Sequence, residues 1–199
     1  MTYPVRLVVA LPAEAKPVVS RFHLSRIQLD HEFPIYRNKG ISLIISGTGK
    51  VNSEAAVRHL HAFGQSSIKA IWVNFGIAGH PVRALGEAFL ARHIVDDETA
   101  NSWEVSVELL SSFDADDLLT VGVPDVEYKT PYAIDMEAAG FFPAAEALST
   151  PGLVQCLKIV SDNPVSPADR VNKKLVRRLI EEKLDTLDAL LIKLGGDMG

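Results

Sequence analysis

Cysteine is nearly absent from this sequence. Cys156 is the only one in 199 residues, which excludes an intrachain disulfide and points to a reducing compartment. Long apolar runs are also missing. None approaches the roughly 20 residues that span a bilayer, so no membrane association is expected. Positive charge is not in excess: 20 Lys and Arg stand against 25 Asp and Glu, a net charge of −5, and no broad surface for neutralising nucleic-acid phosphates is expected. The glycine stretch Gly47-Thr48-Gly49-Lys50 lacks both common nucleotide fingerprints. A P-loop requires Gly at position 44 and Ser or Thr at 51, where this chain has Ile44 and Val51; a Rossmann turn requires Gly at 52, where it has Asn52. Metal spacing is lacking as well. The clusters Asp96-Asp97-Glu98 and Asp114, Asp116, Asp117 do not follow a calcium loop and read as solvated loops. His59 and His61, two apart on a helix, do not share a face and read as solvated, so neither a metal nor a cofactor is expected.

What is present describes one ordinary globular domain over residues 1–199: 47% hydrophobic and 23% charged. Arg6, the apolar run after it and Ala13-Glu14-Ala15 imitate a secretion signal. Leu7 to Leu11 is shorter than the roughly 7–15 apolar residues of such signals, so Val5–Leu11 reads as a buried first strand and the protein as cytoplasmic. A helix is expected over Glu14–Phe22. Strands follow at Ile35–Arg37 and Ile41–Ser46 around an Asn38-Lys39-Gly40 turn, then a helix over Ser53–Phe63. Ala70–Phe75 reads as a buried strand leaving through Gly76-Ile77-Ala78-Gly79, and Leu85–Asp96 as a strand or strand pair. Leu118–Val123 is a further strand, Pro124–Pro131 a loop, Gln155–Val160 a last buried strand. Val171, Leu175, Leu179, Leu184, Leu187, Leu191 and Leu194 predict one amphipathic helix stopped by Gly195-Gly196. Alternating strands and helices imply α/β architecture with a mainly parallel sheet.

Two strand exits carry glycines that would let a ligand approach the backbone: Gly47 to Gly49, and Gly76 to Gly79. Each also reads as a plain tight turn. Between an apolar approach and a small-residue helix lies Ala133-Ile134-Asp135-Met136-Glu137-Ala138-Ala139-Gly140. If Asp135 ends a strand and Glu137 opens a helix, Glu137 stands at the carboxyl edge of the sheet, where open α/β sheets bind ligands. A carboxylate there can accept both hydroxyls of a ribose diol; equally, it can be an acidic first turn favoured by the helix dipole. Asp162, just past the last buried strand and followed by Asn163-Pro164, occupies an ordinary loop position and also that of a sheet-edge acid.

Taken in order, Val8 to Glu14, Ser46 to Val51, Asn74 to Gly79, Ile94 to Glu98, Asp135 to Ala138 and Ile159 to Asp162 resemble the purine nucleoside phosphorylase/uridine phosphorylase superfamily, most closely its nucleosidase-like branch. The resemblance covers nearly the whole chain. It implies a three-layer α/β/α sandwich with a mainly parallel mixed sheet, and cleavage of the N-glycosidic bond of a nucleoside, purine or 5′-substituted, in a homo-oligomer, a dimer first. By the same resemblance Asp162 is the acid that protonates the leaving base, Glu137 the ribose acceptor, and Met136 the floor under the sugar. Glu14 is the carboxylate that activates water. Asp135, Gly49, Phe75, Gly76, Ile77 and Ala78 line or support the pocket. Asn74 stands where phosphate-binding relatives often carry arginine, which favours water as the nucleophile. A phosphorylase of the same fold, with phosphate as co-substrate, and a non-catalytic nucleoside-binding protein are the alternatives.

Overall fold

Apolar β-branched stretches form the strands, and the segments between them fold back as helices over both faces of one sheet. The computed structural model describes residues 3–28, 32–63, 69–107, 110–124 and 127–196. In chain order the elements are β1 (Val5–Val9), α1 (Pro12–Arg21), β2 (Ser25–Arg26), β3 (Ile35–Arg37), β4 (Ile41–Ile45), α2 (Lys50–Phe63), β5 (Ile71–Gly79), β6 (Ala88–Asp96), β7 (Ser102–Glu104), β8 (Ala115–Thr120), β9 (Ala133–Asp135), α3 (Ala138–Glu146), β10 (Val154–Asp162), α4 (Lys173–Glu182) and α5 (Leu184–Lys193). A short 3-10 turn covers Ala168–Arg170.

β1 lies between β4 and β5, parallel to both, and β5 continues parallel to β10. β10 runs antiparallel to β6, β6 parallel to β8, and β8 parallel to β9. β9 then meets β5 at Gly79 and Ile134. These five strands therefore pair round in a ring, and the sheet curls closed at the carboxyl end of β5. Along β1 the side chains alternate. Val5, Leu7 and Val9 pack on the face of α1, α4 and α5, while Val8 packs on the face of α2 and α3. The three layers and the mixed sheet are those expected from the sequence.

Several local expectations change. β5 remains a strand through Gly79 instead of turning out at Gly76, because its partners β10 and β9 continue to pair with it there. β10 likewise keeps Asp162 as its last residue rather than releasing it to a loop. The C-terminal helix is two helices that break at Lys183, where the apolar spacing stretches to five residues between Leu179 and Leu184. The acidic clusters are not free loops. Asp96 is buried and holds Lys50 Nζ at 2.6 Å, Asp116 on β8 holds Arg83 Nε at 2.9 Å, and Asp117 holds Arg92 Nε at 2.7 Å. His61 Nδ1 sits 3.0 Å from Arg6 Nη1, and His59 packs edge-on against Phe33, so neither histidine is simply solvated. The Asn38 turn forms as read, its Oδ1 accepting the Gly40 and Ile41 amides. Of the loop expected over Pro124–Pro131, residues 125 and 126 lie outside the described residues.

α2 and α3 cross very closely. A Cβ on Gly140 would stand 2.0 Å from the Lys50 carbonyl oxygen, so this crossing requires glycine. Gly140→Ala should lower the unfolding free energy by roughly 2 kcal/mol, the ordinary cost of overpacking, in urea titration. An unchanged midpoint would show that the helices separate without penalty.

Candidate active site

Glu14, Glu137 and Asp162 come from α1, the start of α3 and the end of β10, and all three line one cavity of about 210 Å³ at the carboxyl edge of the sheet. Met136, Ile77 and Ala78 line it with them. The wall is carboxylate-rich and otherwise largely apolar. No lysine or arginine lines it among the described residues.

Glu14 stands in the first turn of α1, and its carboxylate reaches back to the chain that enters the helix. Oε2 accepts the Ala10 and Leu11 amides at 2.9 and 2.8 Å, and Oε1 accepts the Ile77 amide at 3.1 Å. A helix-capping role and a place in the cavity are thus met by one side chain. Gly76 makes this possible: a Cβ there would lie 2.8 Å from Glu14 Oε1. Burial raises the Glu14 carboxyl above its ordinary range, opposed by these amides and by Lys158.

Glu137 Oε1 accepts the Gly49 amide at 2.9 Å. The glycine turn after β4 thus gives this amide to the chain's own Glu137. Burial first, then the neighbouring Asp135 charge, raise the Glu137 carboxyl to about 7, while Lys158 opposes them. Asp135 lies in the cavity wall, but its oxygens are already engaged. Oδ1 accepts the Thr120 hydroxyl at 2.7 Å; Oδ2 accepts the Ala138 amide at 2.9 Å and pairs with Lys158 Nζ at 2.7 Å. It therefore fixes the entry to α3 rather than offering a free acceptor.

Lys158 was missed by reading the sequence. It is 1% exposed, in mid-β10. Burial pulls its ammonium down, but Asp135 and then Glu137 outweigh that and hold it above the ordinary lysine range. The signal was available: it is the one charged residue in the apolar run Val154–Val160, and a buried cation requires a partner. Three expected pocket residues lie elsewhere. Phe75 is one strand repeat deeper than Ile77 and packs into the core, because β5 does not turn out before Gly79. Gly76 and Gly49 sit behind Glu14 and Glu137 rather than on the cavity wall. Asn74 faces the Val8 carbonyl at 3.2 Å and is buried between strands, so its identity says little about phosphate.

Asp162 Oδ2 accepts the Tyr128 hydroxyl at 2.8 Å, and Oδ1 meets the Ser161 hydroxyl. Cys156 is fully buried, and burial pushes its thiol well above the ordinary range, so it is inert packing. Among the described residues no group of three or more His, Cys, Asp or Glu is arranged to hold a metal ion, and no helix is long and apolar enough to cross a membrane.

The fold recurs in known structures. The apo 5′-methylthioadenosine nucleosidase of Arabidopsis thaliana superimposes with a TM-score of 0.81 at 19% identity, covering 98% of this chain and 97% of that one. The futalosine hydrolase of Helicobacter pylori gives 0.75 at 17% identity, covering 96% and 98%. The 5′-methylthioadenosine/S-adenosylhomocysteine nucleosidase of S. pneumoniae, with a transition-state inhibitor, gives 0.73 at 17%, covering 96% and 99%. The chain has the nucleosidase fold. No protein-family model and no curated protein sequence matches it.

Two measurements follow from the buried charges. Lys158→Met leaves Asp135 buried without its cation and should cost about 3–5 kcal/mol in chemical denaturation; a loss below about 1 kcal/mol would show that the pair carries little of the fold. For Glu137 the folded value of about 7 lies above the ordinary 4.5. The native state therefore holds a proton that the unfolded chain releases. Stability from this group is complete below about pH 4.5 and is lost as the pH rises through about 7. Relative to Glu137→Gln, the wild type should lose stability across that window, with a ceiling of roughly 3 kcal/mol at ~1.4 kcal/mol per unit. Parallel stability–pH curves for the two proteins would contradict the assignment.

Proposed function

We propose that this protein hydrolyses the N-glycosidic bond of a nucleoside, with a purine base and a 5′ substituent as the preferred substrate class. The observation that carries the reading is the convergence of Glu14, Glu137 and Asp162 on one cavity at the sheet's carboxyl edge. The fold shared with 5′-methylthioadenosine nucleosidase and futalosine hydrolase supports it.

Cleavage of such a bond passes through an oxocarbenium-like sugar. Asp162 protonates a ring nitrogen of the base as the bond to C1′ breaks and the electron pair leaves with the base. Glu137 accepts the ribose hydroxyls, and Met136 packs beneath the ring. Glu14 takes a proton from the water whose oxygen bonds to C1′; burial, which raises its carboxyl, makes its carboxylate a stronger base. The products are the neutral free base and the free sugar.

Water is favoured over phosphate by the charge of the site. Phosphate binding draws on arginines, lysines or massed amides. Here no lysine or arginine lines the cavity among the described residues, and the nearby Lys158 is paired with Asp135. The single-domain, cytoplasmic reading is retained with this function, as is a homodimer. The exposed Val51 and Val123, beside the loops that bear the lining residues Thr48 and Pro124, suit a face covered by a second copy.

The test is a screen of purine nucleosides and 5′-substituted nucleosides, read by released base, with and without phosphate. Free ribose formed at equal rates in both buffers is the expected result; ribose 1-phosphate as product would overturn the hydrolytic reading. Asp162→Asn should lower kcat by about 10²-fold or more with the fold retained, and near-normal turnover would remove Asp162 from the role of acid.

A further inference from the structure

Tyr128 lies in the loop before β9, and a tyrosine there need only have packed. Three observations show more. It is 9% exposed. Its backbone has φ of +50°, a left-handed conformation that a bulky residue adopts at a cost. Its hydroxyl has two polar partners, Asp162 Oδ2 at 2.8 Å and the Ala168 amide at 3.1 Å. The strained loop thus delivers one phenol to the carboxyl group proposed as the acid.

The hydrogens can be assigned from the partners. The Ala168 N–H can only donate, so it takes a lone pair of the phenol oxygen. The phenol O–H is then left to donate to Asp162 Oδ2. On the other carboxyl oxygen the partner is less committed. The Ser161 hydroxyl has Asp162 Oδ1 on one side and the Ala78 carbonyl at 3.3 Å on the other. Its single hydrogen can satisfy either. When Asp162 is charged, the Ser161 hydrogen points to Oδ1. When Oδ1 carries a proton, the Ser161 hydrogen can turn to Ala78. Oδ2 therefore has a fixed donor, and Oδ1 has a partner that can change role.

We propose that Tyr128 is the positioning residue of the acid: it pins Asp162 through Oδ2 and so makes Oδ1 the oxygen that hands its proton to the leaving base. This rests on the nucleosidase reading and deepens it. The transfer is a simple one. The Oδ1–H bond breaks, the proton goes to the base nitrogen, the C1′–N electron pair leaves with the base, and Asp162 becomes a carboxylate held by the two hydroxyls. Without the phenol, either oxygen can bear the proton and the carboxyl can turn about its last torsion, so fewer encounters present an acid to the base.

The experiment compares two leaving groups. A purine nucleoside accepted by the wild type must have its base protonated. p-Nitrophenyl β-D-ribofuranoside releases an anion stable enough to depart unprotonated. Tyr128→Phe keeps the ring and removes only the hydroxyl. For the nucleoside, kcat should fall about tenfold or more with KM changed less than about twofold, a fraction of the 10²–10⁴-fold worth of a general acid. For the nitrophenyl riboside, kcat should stay within about twofold of wild type. Asp162→Asn, run in parallel, should show the same selectivity more strongly. Equal losses on both substrates would make Tyr128 a packing residue and overturn the proposal, as would no loss on either. Failure of the wild type to cleave any nucleoside or the riboside would instead overturn the nucleosidase reading on which the proposal stands.

Discussion

The ion pair between Lys158 and Asp135 is the interaction on which the rest of the site depends. Both side chains are essentially removed from water and stand 2.7 Å apart. Such a pair is not justified by its own energy, since desolvating two charges costs about as much as their attraction returns. Its effect is on geometry. Lys158 anchors Asp135 from β10. Asp135 in turn accepts the Thr120 hydroxyl and the Ala138 amide, and so sets how the chain leaves β9 and enters α3. Glu137 is carried on that turn. Removing the cation would leave a buried carboxylate beside two others and a helix start without its anchor.

The same pair sets the charge balance. Glu14, Asp135 and Glu137 are buried around one ammonium group, and Lys158 lowers both glutamates while burial raises them. One cation cannot offset three anions at low dielectric. With Asp135 holding the direct contact, the surplus falls on the glutamates, and both are displaced upward. Each is met by backbone amides rather than by a second cation: Glu14 by Ala10, Leu11 and Ile77, Glu137 by Gly49. Amides stabilise an anion without adding a mobile charge, so these carboxylates are held in place.

What the sequence shows of this and what it hides follow from how each part is encoded. Strand alternation with helices is a periodic signal, and the three layers were legible from it. Glu137 and Asp162 were legible because one follows a buried strand and the other ends one, where side chains reach the sheet edge. The sheet's closure through β9 was not legible, since a three-residue strand has no period to read. Phe75 was placed wrongly for a related reason: glycines suggested an exit, but the pairing of β5 with β10 and β9, which no local pattern records, carries the strand on to Gly79. Tyr128 was hidden in a loop without periodicity, and its link to Asp162 spans 34 residues of sequence. Lys158 was visible as an anomaly, a charge inside an apolar strand, whose meaning needed the partner that only the fold brings near.

The sign of the site's field joins these parts into one chemical argument. In the proposed reaction, heterolysis at C1′ develops positive charge on the sugar while the base leaves with an electron pair. Among the described residues, a cavity whose side-chain charges are carboxylates, with the nearby Lys158 already paired to Asp135, presents a negative field before substrate arrives. Such a field stabilises the growing cation without reorganisation. It also disfavours entry of a phosphate dianion, whereas neutral water meets no such penalty. Held amides thus keep Glu14 and Glu137 in place, the Lys158–Asp135 pair prevents the buried charge from becoming excessive, and in the proposed reaction the hydroxyl on each oxygen of Asp162 would accommodate its change of charge as the proton departs.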